Sequence, residues 1–227
     1  MMRVLTDLVP QFTLDDIWQV ELGGREPRPA LRGVGETLYP EAQRLVVPAA
    51  IFERFPVQKV MHDRVYLAGG QVLRGPDVAH VLAPASEVVV GMATIGAALE
   101  ERSSQYFQQG DAVSGYLLDC MGTAAVINLV QQVCAFLEPL AAEWGYPIGF
   151  PLSPGEPGWP LAEQRVLFGL VPADRIGVTL TEGCAMRPNK SVSFVLGLGL
   201  GIRTAAEGSQ CDYCSVRETC RHRRHAD

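Results

Sequence analysis

The apolar positions fall into two kinds of pattern along the chain, one helical and one extended. Val113, Leu117, Met121, Ala124, Ile127, Val130, Cys134 and Leu137 recur at steps of three or four. That spacing predicts a long helix, apolar nearly all round and therefore central, which ends at Gly145 and Pro147. A shorter helix is predicted at Thr13-Leu14-Asp15-Asp16-Ile17-Trp18, with Thr13 as cap, Asp16 three residues on and Gly23-Gly24 as stop. Further helical patterns cover residues 33–55, broken by Pro40 and Pro48, then a short one from Pro76 to Leu82, then 95–109 and 161–170. Extended runs are predicted at 58–61, 64–67 and 71–73, the last two joined by Gly69-Gly70 as a hairpin. Val88-Val89-Val90-Gly91-Met92-Ala93 reads as a strand apolar on both faces. Residues 177–180 and 191–196 also read as strands.

Helices and strands mixed in this order predict an α+β fold. The 227 residues fit one large domain with small lobes. The divisions suggested are an N-terminal α+β lobe at 1–90, a core at 91–203 and a cysteine-rich tail at 204–227. Between the long helix and the next one, residues 147–160 hold five prolines and three glycines. Proline fixes φ and glycine releases it, so an ordered, irregular loop is expected there.

Charge narrows the partners. A net charge of −6 argues against a surface that binds nucleic acid generally, although Arg217, Arg221, Arg223 and Arg224 form a local basic cluster. The apolar stretch 113–140 carries Asp119, Asn128, Gln131, Gln132 and Glu138. Such groups are costly at mid-membrane depth, so this reads as a buried helix rather than a span. No signal peptide is visible, and a cytoplasmic location is expected.

The six cysteines are unevenly placed. Cys120 and Cys134 sit in the apolar helix and read as inert buried thiols. The tail carries Cys211-x2-Cys214-x5-Cys220, a spacing that can place three thiolates on one metal ion or cluster. Three is one short of the usual four, and Cys184, His222, His225, water or a partner could complete the set. The flanking arginines would favour thiolate. Iron–sulfur, zinc and free redox thiols all remain open readings.

Other candidates carry less. Gly197-Leu198-Gly199-Leu200-Gly201 lacks the spacing of a nucleotide loop and reads as a strand exit. Isolated Glu182 reads as a solvated or capping carboxylate and Met186 as core. His62 and His80 stand alone, and no catalytic triad can be assembled.

Several segments together resemble a known family. They are Ala93-Thr94-Ile95-Gly96, Asp119-x2-Gly122, Ser153-Pro154-Gly155 with Trp159-Pro160 and Gln164, and 176–182. Met186-x-Pro188-x-Lys190-Ser191-Val192-Ser193 completes the set. The chain resembles the activation domain of vitamin B12-dependent methionine synthase, and more closely that domain's short stand-alone relatives. The resemblance covers residues 90–200 well and the first 90 in style only. It implies a hook-shaped α+β fold with a twisted antiparallel sheet and packed helices, docking on a cobalamin-binding corrinoid protein or methyltransferase, and S-adenosylmethionine as ligand. It also implies support for reductive reactivation of the corrinoid. On the same ground the cofactor-binding candidates are Ser153, Pro154, Gly155, Glu156, Thr181 and Glu182. The family's R-x-x-x-G-Y motif departs here: Pro151 stands at the arginine position and Glu156 at the tyrosine position. The metal candidates are Cys211, Cys214, Cys220 and Cys184, and no catalytic residue is assigned.

Overall fold

The computed structural model describes residues 2–23, 25–212 and 217–219. In chain order the elements are β1 (Arg3–Leu5), α1 (Leu14–Leu22), α2 (Pro29–Leu45), β2 (Ala49–Met61), β3 (Arg64–Leu67), β4 (Val72–Arg74), α3 (Pro76–Val81) and β5 (Glu87–Thr94). There follow α4 (Ala98–Gln108), α5 (Ala112–Glu143), a 3-10 turn (Leu161–Glu163), α6 (Gln164–Leu170), β6 (Thr179–Leu180), β7 (Met186–Arg187) and β8 (Ser191–Leu198).

The sheet runs β4-β3-β2-β5-β8, with β1 also paired to β2, and every pairing is antiparallel. Strand β2 is long because it serves three partners. Residues 49–56 pair with β5 and residues 50–52 also pair with β1, while residues 57–61 pair with β3 across a register shift between Val57 and Lys59. A shift of this kind bends the strand and raises its local twist, which curls the sheet. β5 pairs with β2 on one side and β8 on the other, so a single sheet crosses residue 90.

Both faces of the central strands are covered, which is why β5 and β8 read as unbroken apolar runs. On one face Ala50, Phe52, Val89, Ala93, Phe194 and Leu196 pack with side chains from α1, α2, α4 and α5. On the other, Ile51, Val88, Val90, Met92 and Val195 pack with α3, α6, Phe150, Leu152 and Trp159. Each fully buried Leu or Phe here contributes about 1.5–3 kcal/mol. Gly91 has a specific reason to be glycine. A Cβ there would lie 2.4 Å from the Phe194 ring of the neighbouring strand.

The long helix is α5. By length and composition it could cross a membrane, but its buried side chains, among them Leu117, Leu118, Met121, Leu129, Val133 and Leu137, belong to the core beneath the sheet. Thr13 and Asp16 form the expected reciprocal cap of α1, and Gly23 ends it in the left-handed region.

The helical reading of residues 33–55 requires correction. Helix α2 begins at Pro29 and runs through Pro40 to Leu45, and residues 49–55 are strand. Pro29 at the first helical position needs no N–H partner. Pro40 removes one internal hydrogen bond without ending the helix. The stretch Ala49-Ala50-Ile51-Phe52 is apolar on both faces because both faces are covered, and an unbroken apolar run does not distinguish strand from helix.

Candidate functional site: the proline loop, the β6–β7 turn and the start of α6

The proline-rich segment first extends the sheet and then leaves it. Ile148 bridges Leu198, and Leu152 exchanges both backbone hydrogen bonds with Val195, 2.9 and 2.8 Å. Continuing that register, Pro154 falls opposite Ser193. Proline has no N–H to donate, so the added strand stops there. The chain folds into a compact turn. The Glu156 N–H donates to Ser153 O (3.2 Å), and the Glu156 carboxylate accepts from the Ser153 N–H (2.9 Å). Gly155 and Trp159 close the loop, with the Gly155 N–H on Trp159 O at 2.9 Å. Gly155 (φ 100°) and Gly158 (φ 74°) both lie in the left-handed region that glycine tolerates. At Gly158 a Cβ would also sit 2.1 Å from the Asp77 carboxyl.

The second candidate segment is the turn joining β6 to β7. The Thr181 N–H donates to Ala185 O (2.9 Å), and the Thr181 hydroxyl accepts from the Ala185 N–H (3.0 Å). Cys184 sits in this turn at φ 63°, buried, with its N–H on Thr181 O. Glu182 is exposed, and Met186 packs partly buried against the second core.

The start of α6 brings the two segments together. Leu161, one turn earlier, lies against Gly155. Three consecutive residues then fan out to three parts of the fold. Glu163 accepts from the Arg74 N–H at 2.7 Å, Gln164 accepts from the Ser193 hydroxyl at 2.8 Å, and the Arg165 guanidinium donates to Glu182 O. Gln164 and Ser193 are almost fully buried, at 3% and 1% exposure. The sequence offered Gln164 only as part of a resemblance; its contact with Ser193 depends on pairing that periodicity does not encode.

A second polar group pins the approach to β8. Lys190 donates to Asp119 and to the Thr123 hydroxyl, both at 2.8 Å, and the Glu100 carboxylate accepts from the backbone N–H groups of Asn189 and Lys190. Ser191 donates to the Thr94 hydroxyl at 2.9 Å. These contacts join residues 93–96, 119–123 and 186–193, which are remote in sequence.

The cysteines separate into groups. Burial pushes the Cys120 thiol up to about 12, helped by the nearby Glu21 charge. Burial and Glu138 push Cys134 up to about 11. Both are protonated and inert at neutral pH. Cys211 is half-buried at the start of the tail. Its neighbour Asp212 is held by Arg203 and Arg217, each at 3.4 Å. Cys214 and Cys220 lie outside the described residues. Cys184 belongs to the turn that enters β8 at Ser191, whereas the tail leaves β8 at Leu198. The eight residues of β8, about 3.3 Å each, lie between. Among the described residues, no three His, Cys, Asp or Glu side chains gather as a metal-binding group.

Comparison with solved structures then gives the architecture a reference. The crystal structure of the MetH reactivation domain bound to AdoHcy matches with a TM-score of 0.60, over 89% of this chain and 80% of that one, at 15% identity. The fold is that of the MetH reactivation domain. No family model matches the chain, and no curated protein matches it. A match over 89% of the chain extends beyond residues 90–200, the segment whose motifs carry the resemblance.

Proposed function

We propose that this chain is an accessory protein of corrinoid metabolism. It docks on a cobalamin-binding protein and supports its reductive reactivation, as a component of a cobalamin-dependent methyltransferase system in the cytoplasm. The observation that carries the reading is the MetH reactivation-domain fold over 89% of the chain, joined to a cysteine tail.

The tail residues fit a thiophilic centre. Cys211, Cys214 and Cys220 supply three thiolates at C-x2-C-x5-C spacing. Arg203 and Arg217 converge on Asp212 beside Cys211, so positive charge is already held where thiolate charge would accumulate. An iron–sulfur cluster here would supply an electron to the docked corrinoid. Zinc would instead make the tail a structural clip on a docking module. Cys184 remains our proposal for the fourth ligand.

The same fold carries a ligand reading. The matched MetH domain is bound to AdoHcy, and we assign an S-adenosylmethionine-type ligand to Ser153, Pro154, Gly155, Glu156, Thr181 and Glu182. Ser153 to Gly155 offer backbone groups held at fixed angles. Glu156 brings negative charge where the family has a tyrosine. Pro151 brings no donor where the family has an arginine.

Anaerobic purification followed by metal analysis and an absorption spectrum tests the redox reading. Iron and sulfide with a visible thiolate–iron band support it. Zinc alone, or no metal, removes the electron-transfer role. Co-purification with a cobalamin-binding methyltransferase subunit tests the docking role separately.

A further inference from the structure

We propose that a small hollow at the exit end of β8 binds a short-chain carboxylate. The inference goes beyond the corrinoid reading and does not depend on it. The pairing of the proline-rich segment with β8 is irregular at this end. Ile148 bridges Leu198 and Leu152 bridges Val195, so one more residue lies between the two bridges on the loop side than on β8. An extra residue on one strand is a β-bulge, a device that re-aims side chains at sheet edges and beside binding sites. The Gly149 N–H donates to Gly197 O at 2.9 Å, and Phe150 follows. Beside this irregularity lies a cavity of about 100 Å³, bounded also by the end of α3 and by the chain leaving β8.

Glycine keeps the hollow open. Gly149, Gly197 and Gly201 all stand on its wall. A Cβ at Gly197 would lie 2.7 Å from Ile202 and 2.9 Å from Leu82, and one at Gly149 would lie 3.0 Å from Ile202. Both Ile202 and Leu82 are wall residues, so side chains at these glycines would fill the space. The glycine run after β8 thus has a use other than a nucleotide loop.

The wall selects the ligand. Val81, Leu82, Phe150 and Ile202 supply hydrocarbon, while His80 and Arg203 supply polar groups. Few polar groups on a mainly apolar wall fix the orientation of a small ligand. Arg203 Nε donates to Glu207 O at 2.8 Å, but its Nη2 lies 3.4 Å from Asp212 Oδ2. That is longer than the about 2.7–2.9 Å of a strong charged hydrogen bond. Arg217 shares the Asp212 carboxylate, and Glu207 turns its own carboxylate to Thr204. A cavity of about 150 Å³ admits benzene, so this one suits a smaller acid such as propionate. The carboxylate meets Arg203 and His80, and the alkyl end meets the apolar wall. Inorganic phosphate would leave that wall unused.

Amide shifts of the 15N-labelled full chain, titrated at constant ionic strength, test the assignment. Propionate is expected to shift Gly149, Gly197 and Gly201 saturably, with a Kd in the millimolar range. Acetate, one CH2 shorter, should bind about fourfold more weakly. Neutral propionamide should bind at least about tenfold more weakly, as should propionate to Arg203→Gln. His80→Gln, at an exposed helix end, gives a second variant if Arg203→Gln folds poorly. No saturable shift at about 50 mM propionate, far above a millimolar Kd, overturns the inference. Equal binding of propionamide or of inorganic phosphate overturns it too, as does unchanged propionate affinity in a folded Arg203→Gln or, where that variant does not fold, in His80→Gln.

Discussion

Lys190 and Asp119 lie 2.8 Å apart, although 71 residues separate them in the chain. The lysine is mostly buried and Asp119 is about half exposed, so the pair sits at the margin between core and solvent. It ties the turn before β8 to the N-terminal third of α5. Gly122 makes room for it, since a Cβ there would lie 3.3 Å from two Lys190 carbons and 2.6 Å from Leu99.

Lys190→Met is therefore expected to destabilise the fold by about 1–3 kcal/mol, through loss of two charged hydrogen bonds. Gly122→Ala should cost a similar amount, about 1–3 kcal/mol, by overpacking. Each kcal/mol lowers Tm by about 2–4 °C in a chain of this size. Thermal melts of both single variants and the double variant check this. The double variant should cost less than the two added together, because Lys190 is part of what the new methyl group displaces.

Cys214→Ser should lose most of the bound metal and its visible absorption, while Cys134→Ala should keep both. Metal analysis of anaerobically purified variants reads the difference. Unchanged metal content in Cys214→Ser would remove the tail as the site.

Alkaline pH should weaken the fold through its buried thiols. Both are pushed up from 9.0, Cys120 to about 12 and Cys134 to about 11, chiefly by burial. The fold favours their neutral forms. Their contribution is fully present below pH 9 and is lost as pH rises through about 11 and then about 12. Urea midpoints measured from pH 8 to pH 11 should fall in wild type and fall less in a Cys120→Ala, Cys134→Ala double variant. Iodoacetamide at pH 8 should leave both residues unmodified in mass spectra of the native protein.

Glu156 predicts a charge preference. A carboxylate in the loop favours a sulfonium over a neutral thioether, so S-adenosylmethionine should bind more tightly than AdoHcy. Glu156→Gln keeps an oxygen for the Ser153 N–H and removes the charge. It should reduce that preference by about a few-fold, less at high salt. Paired calorimetric titrations at two ionic strengths measure it.

Much of the architecture could be read from local chemistry. The cap of α1, the Gly69-Gly70 hairpin, the apolar strand β5 and the long α5 follow from residues within a few positions of one another. The long strand β2 could not be read this way, because its first half is apolar on both faces and Pro40 suggested an earlier stop. The site was legible in part. Ser153 to Glu156 announced an ordered turn through proline and glycine. The bond from Ser193 to Gln164 and the one from Arg165 to Glu182 depend on how α6 packs over β8, and no spacing along the chain specifies that. Cys184, one candidate for a fourth ligand, lies in the turn that enters β8, and no spacing along the chain relates that turn to the tail.

The fan formed by Glu163, Gln164 and Arg165 has a rotational consequence. Successive residues point about 100° apart in an α-helix and about 120° apart in a 3-10 turn, so these three neighbours span a little over half a circle and each meets a different target. Lengthening the loop before Leu161 would leave those three directions in phase. One residue inserted between Glu163 and Arg165 would turn at least one of them away from its target and uncouple the strands from the turn. Length variation is thus tolerable on the loop side of this short helix and intolerable within its first turn. That first turn acts as a phase marker, from which the rest of the site takes its orientation.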